Sequence, residues 1–204
     1  TEGDIALYRA MTGNRFAQYS SAEFAKAAGL PGLCIDPLHA FHVVFGKSVP
    51  DISLNAVANL GYADGRFFLP VMPGDTLNTV SKVIGIKENS NGKTGVVWVR
   101  TTGFNQHGET VMSFVRWVMV NKFEMDNPTP EPVLPDLPAA VPAGELSGYP
   151  EMKTWDMALA GSPHTFGDYA VGEKINHVDG MTVEEAEHQI ATRLYQNTAK
   201  VHFD

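Results

Sequence analysis

Cysteine is almost missing from this chain: among 204 residues only Cys34 carries a thiol, so no internal disulfide can form. That fits a reducing, cytoplasmic setting and equally a cysteine-poor secreted protein. Positive charge is scarce as well. Fifteen Lys and Arg stand against 23 Asp and Glu, a net charge of -8. This argues against a nucleic-acid partner, whose phosphates demand a basic footprint, and against an anionic membrane surface. An anionic small molecule stays open, because a few local cations suffice to grip a phosphate. No run of about 18 apolar residues exists, so no membrane span is expected. Glycine-rich phosphate loops are absent. No signal peptide is read at the start, and the start at Thr1, without Met, reads as if inside an element, so that a native segment before it is expected.

What is present divides into stretches of different character. Glu2 to Met11 reads as a short helix, with acids in its first turn, broken at Thr12-Gly13-Asn14. Ser20-Ser21-Ala22-Glu23 opens a second helix that stops at Gly29. Asp36 can cap a third, with Pro37 at its first position, running to Gly46; its apolar residues lie almost all round, so it should be buried. Strands are expected over 56–62, 67–71, 76–88, 94–104 and 110–122. The Asn91-Gly92 pair between the third and fourth of these is a hairpin signal, and the last three strands should form an antiparallel meander. Residues 126–150 hold seven of the 13 prolines, which predicts an extended linker wrapping the first unit. Beyond it, Phe166 to Lys174 reads as a turn and a short strand, and an acid-rich helix runs from Glu184 to about Tyr195.

The two ends echo each other at a shift of 183 residues. Asn14 meets Asn197, each just past a helix, and five residues later Tyr19 meets His202. Two copies of one fold would explain the match.

The phrase Val71-Met72-Pro73-Gly74-Asp75-Thr76-Leu77 before a long strand, with a buried helix against an antiparallel sheet, resembles the MaoC-like branch of the hotdog-fold hydratases. Such hydratases carry a loop of the form Gly-Asp-x-Asn-Pro-aliphatic-His. This chain reads Gln196-Asn197-Thr198-Ala199-Lys200-Val201-His202, keeping the His and the aliphatic residue but holding Asn197 at the Asp position. Near the start it reads Gly13-Asn14-Arg15-Phe16-Ala17-Gln18-Tyr19. The longer stretches Gly46 to Tyr62, Phe114 to Val120 and His164 to His202 are similar to the mesaconyl-CoA (2-methylfumaryl-CoA) hydratase branch of that family. The resemblance implies an α+β double hotdog, an antiparallel sheet wrapped around a central helix in each copy. Residues 1–125 would be an N-terminal hotdog lacking its first strand and non-catalytic, 126–163 the linker, and 164–204 the start of a truncated catalytic hotdog. It also implies a CoA-thioester substrate, a homo-oligomer, and no cofactor or metal.

The family reaction adds water across a double bond conjugated to a thioester. An imidazole near its ordinary pKa of about 6.5 suits the proton transfer, which points to His202. Asn197 cannot act as a base, but it can orient water or bond the other ring nitrogen of His202. Asp204 is a nearby carboxylate. Arg193 and Lys200 are candidates for the substrate's free carboxylate, and Asn14 and Tyr19 for shaping the acyl channel. Asp36 and Pro37, an anion and a residue without N–H, are poor oxyanion donors. A thioesterase and a non-catalytic acyl-CoA binder are the rival readings. Several residues have plainer roles. Cys34 reads as a small buried hydrophobe. His39 and His42 read as satisfied core groups lacking a third metal ligand. His164, His177 and His188 read as unclustered, and Trp98 and Trp117 as sheet packing.

Overall fold

The computed structural model describes residues 1–146 and 152–203. Helix α1 spans Glu2–Thr12 and ends on Gly13 at φ 63°. Helix α2, Ala22–Ala27, is capped by the Ser21 hydroxyl, which accepts from Phe24 N. Helix α3, Pro37–Ile52, starts as expected: the Asp36 carboxylate accepts from Leu38 N at 2.7 Å and Pro37 occupies the first turn.

The helix does not stop at Gly46. It runs on for six residues with Pro50 inside it. A proline ring opposes the carbonyl four residues back, which here belongs to Gly46, the residue without a side chain to crowd that turn.

Four strands follow: β1 Ala56–Phe67, β2 Asn78–Glu88, β3 Thr94–Phe104 and β4 Thr110–Asn121. All neighbours are antiparallel, in the order β1-β4-β3-β2. The meander β2-β3-β4 is the expected one, with Gly92 at φ 63° and Gly108 at φ 77° in its turns. Two expectations fail at β1. It continues past Tyr62 to Phe67, and no separate strand forms over 67–71. Asp64 takes φ 49° beside a bulge, and the ladder resumes. Its carboxylate is gripped by Arg66 Nε at 2.9 Å and Arg100 at 2.6 Å, contacts that offset the left-handed backbone.

Helix α3 lies across the sheet. Ala40 and Val44 pack with Val71, Val111, Met112 and Phe114 in the main core. Val44 fits only because β3 has Gly103 beneath it; a Cβ there would sit 2.7 Å from Val44 Cγ2. One register row crosses all four strands as Gly61, Trp117, Trp98 and Gly85. A Cβ on Gly61 would come within 2.5 Å of the Trp117 ring, so the indoles fill the space that glycine leaves. Both tryptophans are therefore sheet packing, as expected.

The proline-rich segment runs back over the first unit: Val133 exchanges backbone hydrogen bonds with Ile86 at 2.8 and 2.9 Å. Of its prolines, Pro150 lies outside the described residues. Further on, Lys153 N donates to Ala28 O at 3.0 Å and Trp155 meets Phe24 edge-on at 5.0 Å. A short helix α4, Met157–Ala160, follows. Of the turn and short strand expected over 166–174, the strand does not form; a 3-10 turn occupies Phe166–Asp168, closed by Thr165 and Asp168 capping each other. Helix α5, Glu185–Leu194, lies against α1. No helix among the described residues is long and apolar enough to cross a membrane.

Candidate active site around His202

The end of α5 is docked onto α3. The Tyr195 carbonyl oxygen approaches so closely that a Cβ on Gly46 would lie 1.8 Å from it. The Tyr195 ring stacks on His42 at 4.3 Å and 18° and meets Tyr8 and His39 at 6.3 Å. Tyr8 in turn stacks on His39 at 4.5 Å and 5°. His39 and His42 thus form an aromatic column with two tyrosines. Burial holds both imidazoles below their ordinary pKa, which keeps them neutral stacking partners. The expectation of satisfied core groups fails at His39, whose Nδ1 is buried without a partner. No three His, Cys, Asp or Glu side chains converge to hold a metal among the described residues.

Just past Tyr195 the chain turns sharply at Gln196, φ 56°, and Asn197 Oδ1 accepts from Ala199 N at 3.0 Å. A 3-10 turn over Lys200–His202 then brings His202 back toward α5. Its Nδ1 lies 3.1 Å from His188 Nε2, the rings 5.2 Å apart. This corrects two expectations. The ring nitrogen of His202 is engaged by His188, not by Asn197, whose amide oxygen is committed to the turn. And His188 is not isolated.

The His202 ring forms part of the wall of two hollows. One, of about 370 Å³, is also lined by Glu184, Glu185, His188 and Gln189. The other, of about 110 Å³, is mostly apolar and lies against Phe45, Val49 and Ser53 of α3 and Val57 of β1, with Asn197 at its edge. His202 is half-buried; burial first, and His188 second, push its pKa below the ordinary imidazole value. At neutral pH it is therefore a free base, able to accept a proton.

The other sequence candidates are dispersed. Arg193 is exposed on α5 and reaches Gln189 at 3.4 Å; Lys200 is exposed. Asn14 donates its amide to the Asp36 carboxylate at the start of α3. Tyr19 is half-buried on a 3-10 turn and lines neither hollow at His202. Asp204 lies outside the described residues. Cys34 is fully buried, its thiol pKa raised by burial.

One residue that spacing did not single out is Arg116, fully buried on β4. Its guanidinium donates to Ser53 Oγ at 2.7 Å and Ser48 Oγ at 3.0 Å, and lies 4.9 Å over the Phe45 ring. No carboxylate among the described residues is within 4 Å. Ser53 also lines the smaller hollow. The available signal was a lone cation inside the apolar run of β4.

A sheet wrapped on one central helix, with a histidine loop beside that helix, defines a hotdog protein. The model for the MaoC like domain matches residues 1–105, and the chain belongs to that family. It is 62% identical over 205 residues to mesaconyl-CoA hydratase of Cereibacter sphaeroides, covering 99% of this chain and 60% of that protein. To beta-methylmalyl-CoA dehydratase of Chloroflexus aurantiacus it is 57% identical over 206 residues, covering 100% of this chain and 58% of that one. The chain thus spans about three fifths of the length of these curated relatives. A crystal structure of a putative MaoC domain protein dehydratase from C. aurantiacus superposes with TM-score 0.95 at 57% identity, over 100% of this chain and 59% of that one. A Mycobacterium tuberculosis protein described as a double hotdog matches with TM-score 0.70 at 24% identity, over 100% of this chain and 63% of that one, a likeness of fold.

Proposed function

We propose that this chain carries the proton-transfer group of a hydro-lyase acting reversibly on an enoyl-CoA thioester, mesaconyl-CoA to β-methylmalyl-CoA, with His202 as acid/base. The observation that carries the reading is the 62% identity to a protein named mesaconyl-CoA hydratase over 99% of this chain. His202 supports it physically: a neutral, half-buried imidazole with one nitrogen engaged and a hollow on either side.

In the hydration direction Nε2 takes a proton from water as its oxygen bonds to the β-carbon. The displaced π electrons pass to the thioester as an enolate, and the α-carbon then takes the proton from the His202 imidazolium, which restores the neutral ring. Asn197 holds the turn that places His202. The start of α3 is not where the enolate would be stabilised, because Asp36 already occupies the Leu38 N–H with its own carboxylate. The 1–125 unit therefore serves as the scaffold against which the site loop docks. Arg193 and Lys200 stand on the surface beside the loop, placed to meet a carboxylate approaching from solvent. Asn14 and Tyr19 belong to the scaffold's matching loop. The exposed Val57, Leu60 and Tyr62 of the edge strand β1 favour pairing with another unit or copy, and an oligomer is expected.

Loss of enoyl-thioester absorbance tests the reaction. His202→Ala should lower kcat by about 100-fold or more, the usual worth of a positioned acid/base. Unchanged turnover would remove His202 from the mechanism. Release of free CoA thiol instead of hydration would favour a thioesterase, and tight binding without turnover an acyl-CoA carrier.

A further inference from the structure

We propose that His188 is the positioning residue of this site: it fixes the tautomer of His202 and so decides which ring nitrogen meets the substrate. The inference rests on the reading of His202 as acid/base. Between His188 Nε2 and His202 Nδ1, 3.1 Å apart, there is room for one proton. When His202 donates it, Nδ1 carries the hydrogen and Nε2 keeps its lone pair, the form that can take a proton from water. As the imidazolium develops, the same Nδ1–H becomes a charge-assisted donor to His188. The contact therefore strengthens as the reaction proceeds. In the reverse direction the imidazolium, still held through Nδ1–H, gives its Nε2 proton to the departing hydroxyl and returns to the same neutral tautomer. One fixed tautomer thus serves both directions of a reversible hydration.

A carboxylate more often holds a catalytic imidazole in this way. Here none lies within 4 Å of either ring among the described residues. Glu184 and Glu185 share the larger hollow but form no ion pair with the rings. Lys200 is on the turn that carries His202. From α3 and β1 the facing residues, Phe45, Val49, Ser53 and Val57, carry no titratable group. His188 is itself held in place. Its carbonyl accepts from the buried Thr192 hydroxyl at 2.9 Å, and its helix is anchored through Tyr195. Burial first, and His188 second, lower the pKa of His202, so the ring that this contact orients at neutral pH is the neutral one.

The test measures kcat and KM of hydration for His188→Ala, His188→Gln and His202→Ala in the whole protein with mesaconyl-CoA. His188→Ala should lower kcat by about tenfold or more with KM nearly unchanged. His188→Gln, whose amide reaches the same point and can bond Nδ1, should recover most of kcat. Unchanged kcat in His188→Ala would overturn the proposal, as would a His188→Gln variant no better than His188→Ala. If His188→Ala does not fold, the kcat of His188→Gln decides alone: near the native value supports, lowered about tenfold or more refutes. Full activity in His202→Ala would overturn the acid/base reading itself, whereas an inactive His202→Ala beside a normal His188→Ala removes only the role of His188.

Discussion

Gly46→Ala offers a demanding test, because two effects of known size oppose each other there. Gly46 lies inside α3, where alanine stabilises an isolated helix by about 1 kcal/mol over glycine. On propensity alone the variant should be more stable. The added Cβ, however, would lie 1.8 Å from the Tyr195 carbonyl oxygen, 2.9 Å from its carbon and 3.1 Å from Asn197 N. All three are backbone atoms, so no side-chain rotation relieves the overlap. Ordinary contact requires the two segments to part by about 1.5–2 Å. Overpacking of this kind costs about 1–3 kcal/mol, and loosening the Tyr195 stack on His42 a further 0.5–1.5 kcal/mol or so. Sterics therefore win, by roughly 0.5–3.5 kcal/mol of lost docking. The loss should be local: faster hydrogen exchange and proteolysis over 185–203, with the sheet unchanged. Because His202 follows Tyr195 by only seven residues, the displacement should also lower kcat, by about 100-fold for a 1 Å error in placement. A Gly46→Ala protein with native protection of α5 and native turnover would refute the claim that α3 positions the site.

Three further outcomes follow from buried groups. Arg116→Met should leave stability unchanged or raise it by about 1–4 kcal/mol, because an unpaired buried cation gives way to an apolar chain of similar length. By contrast, Ser48→Ala with Ser53→Ala, which strips acceptors from the guanidinium, should cost about 1–3 kcal/mol per lost acceptor; denaturant melts of both variants check this, and the reverse order would show that the charge itself stabilises the fold. Cys34 should resist alkylation in the native protein and react only on unfolding, since it is fully buried with a raised pKa; mass spectrometry of native and denatured samples decides. His39 and His42 are held below their ordinary 6.5 mainly by burial, with Asp36 pulling each partway back. Just below pH 6.5 the unfolded chain therefore binds more protons than the folded one. Stability should fall as pH drops through that window and level off above it. His39→Phe, which keeps a ring against Tyr8 and removes the orphan Nδ1, should flatten the slope; an undiminished slope in pH-dependent melts would contradict the assignment.

Local rules carried the sequence reading where a signal and its consequence lie within a few residues. Asp36 and Pro37 start α3 because a cap and a fixed φ act on the adjacent turn, and Asn91-Gly92 sets its hairpin for the same reason. The reading failed where distant residues reversed a local preference. Gly46 and Pro50 look like a helix end, but Gly46 is small because the Tyr195 backbone must approach, a fact held 149 residues away. The first strand was expected to end at Tyr62, but Arg100 on β3 helps stabilise the unusual backbone at Asp64 and the strand goes on. At the proposed site, Asn197 and His202 were candidates through family spacing, and the Asn197 amide oxygen accepts from Ala199 N in the loop. His188 was invisible, because its meeting with His202 depends on a non-glycine left-handed turn at Gln196 that no composition rule marks.

The same contacts explain why a histidine so late in the chain belongs with a helix that starts at residue 37. Neither α5 nor the His202 turn has a core of its own; Thr192 is the only fully buried residue described on α5. What fixes them is the column of Tyr8, His39, Tyr195 and His42, built on α1 and α3. An imidazole suits that column better than an aliphatic chain because its flat neutral face stacks on tyrosine. The two histidines of α3, which by spacing alone could be metal ligands, therefore act at one remove from the chemistry. They hold the ring of Tyr195, Tyr195 holds the end of α5, and that end sets the distance between His188 and His202. Changes to α3 that leave the sheet intact should accordingly alter turnover before they alter global stability.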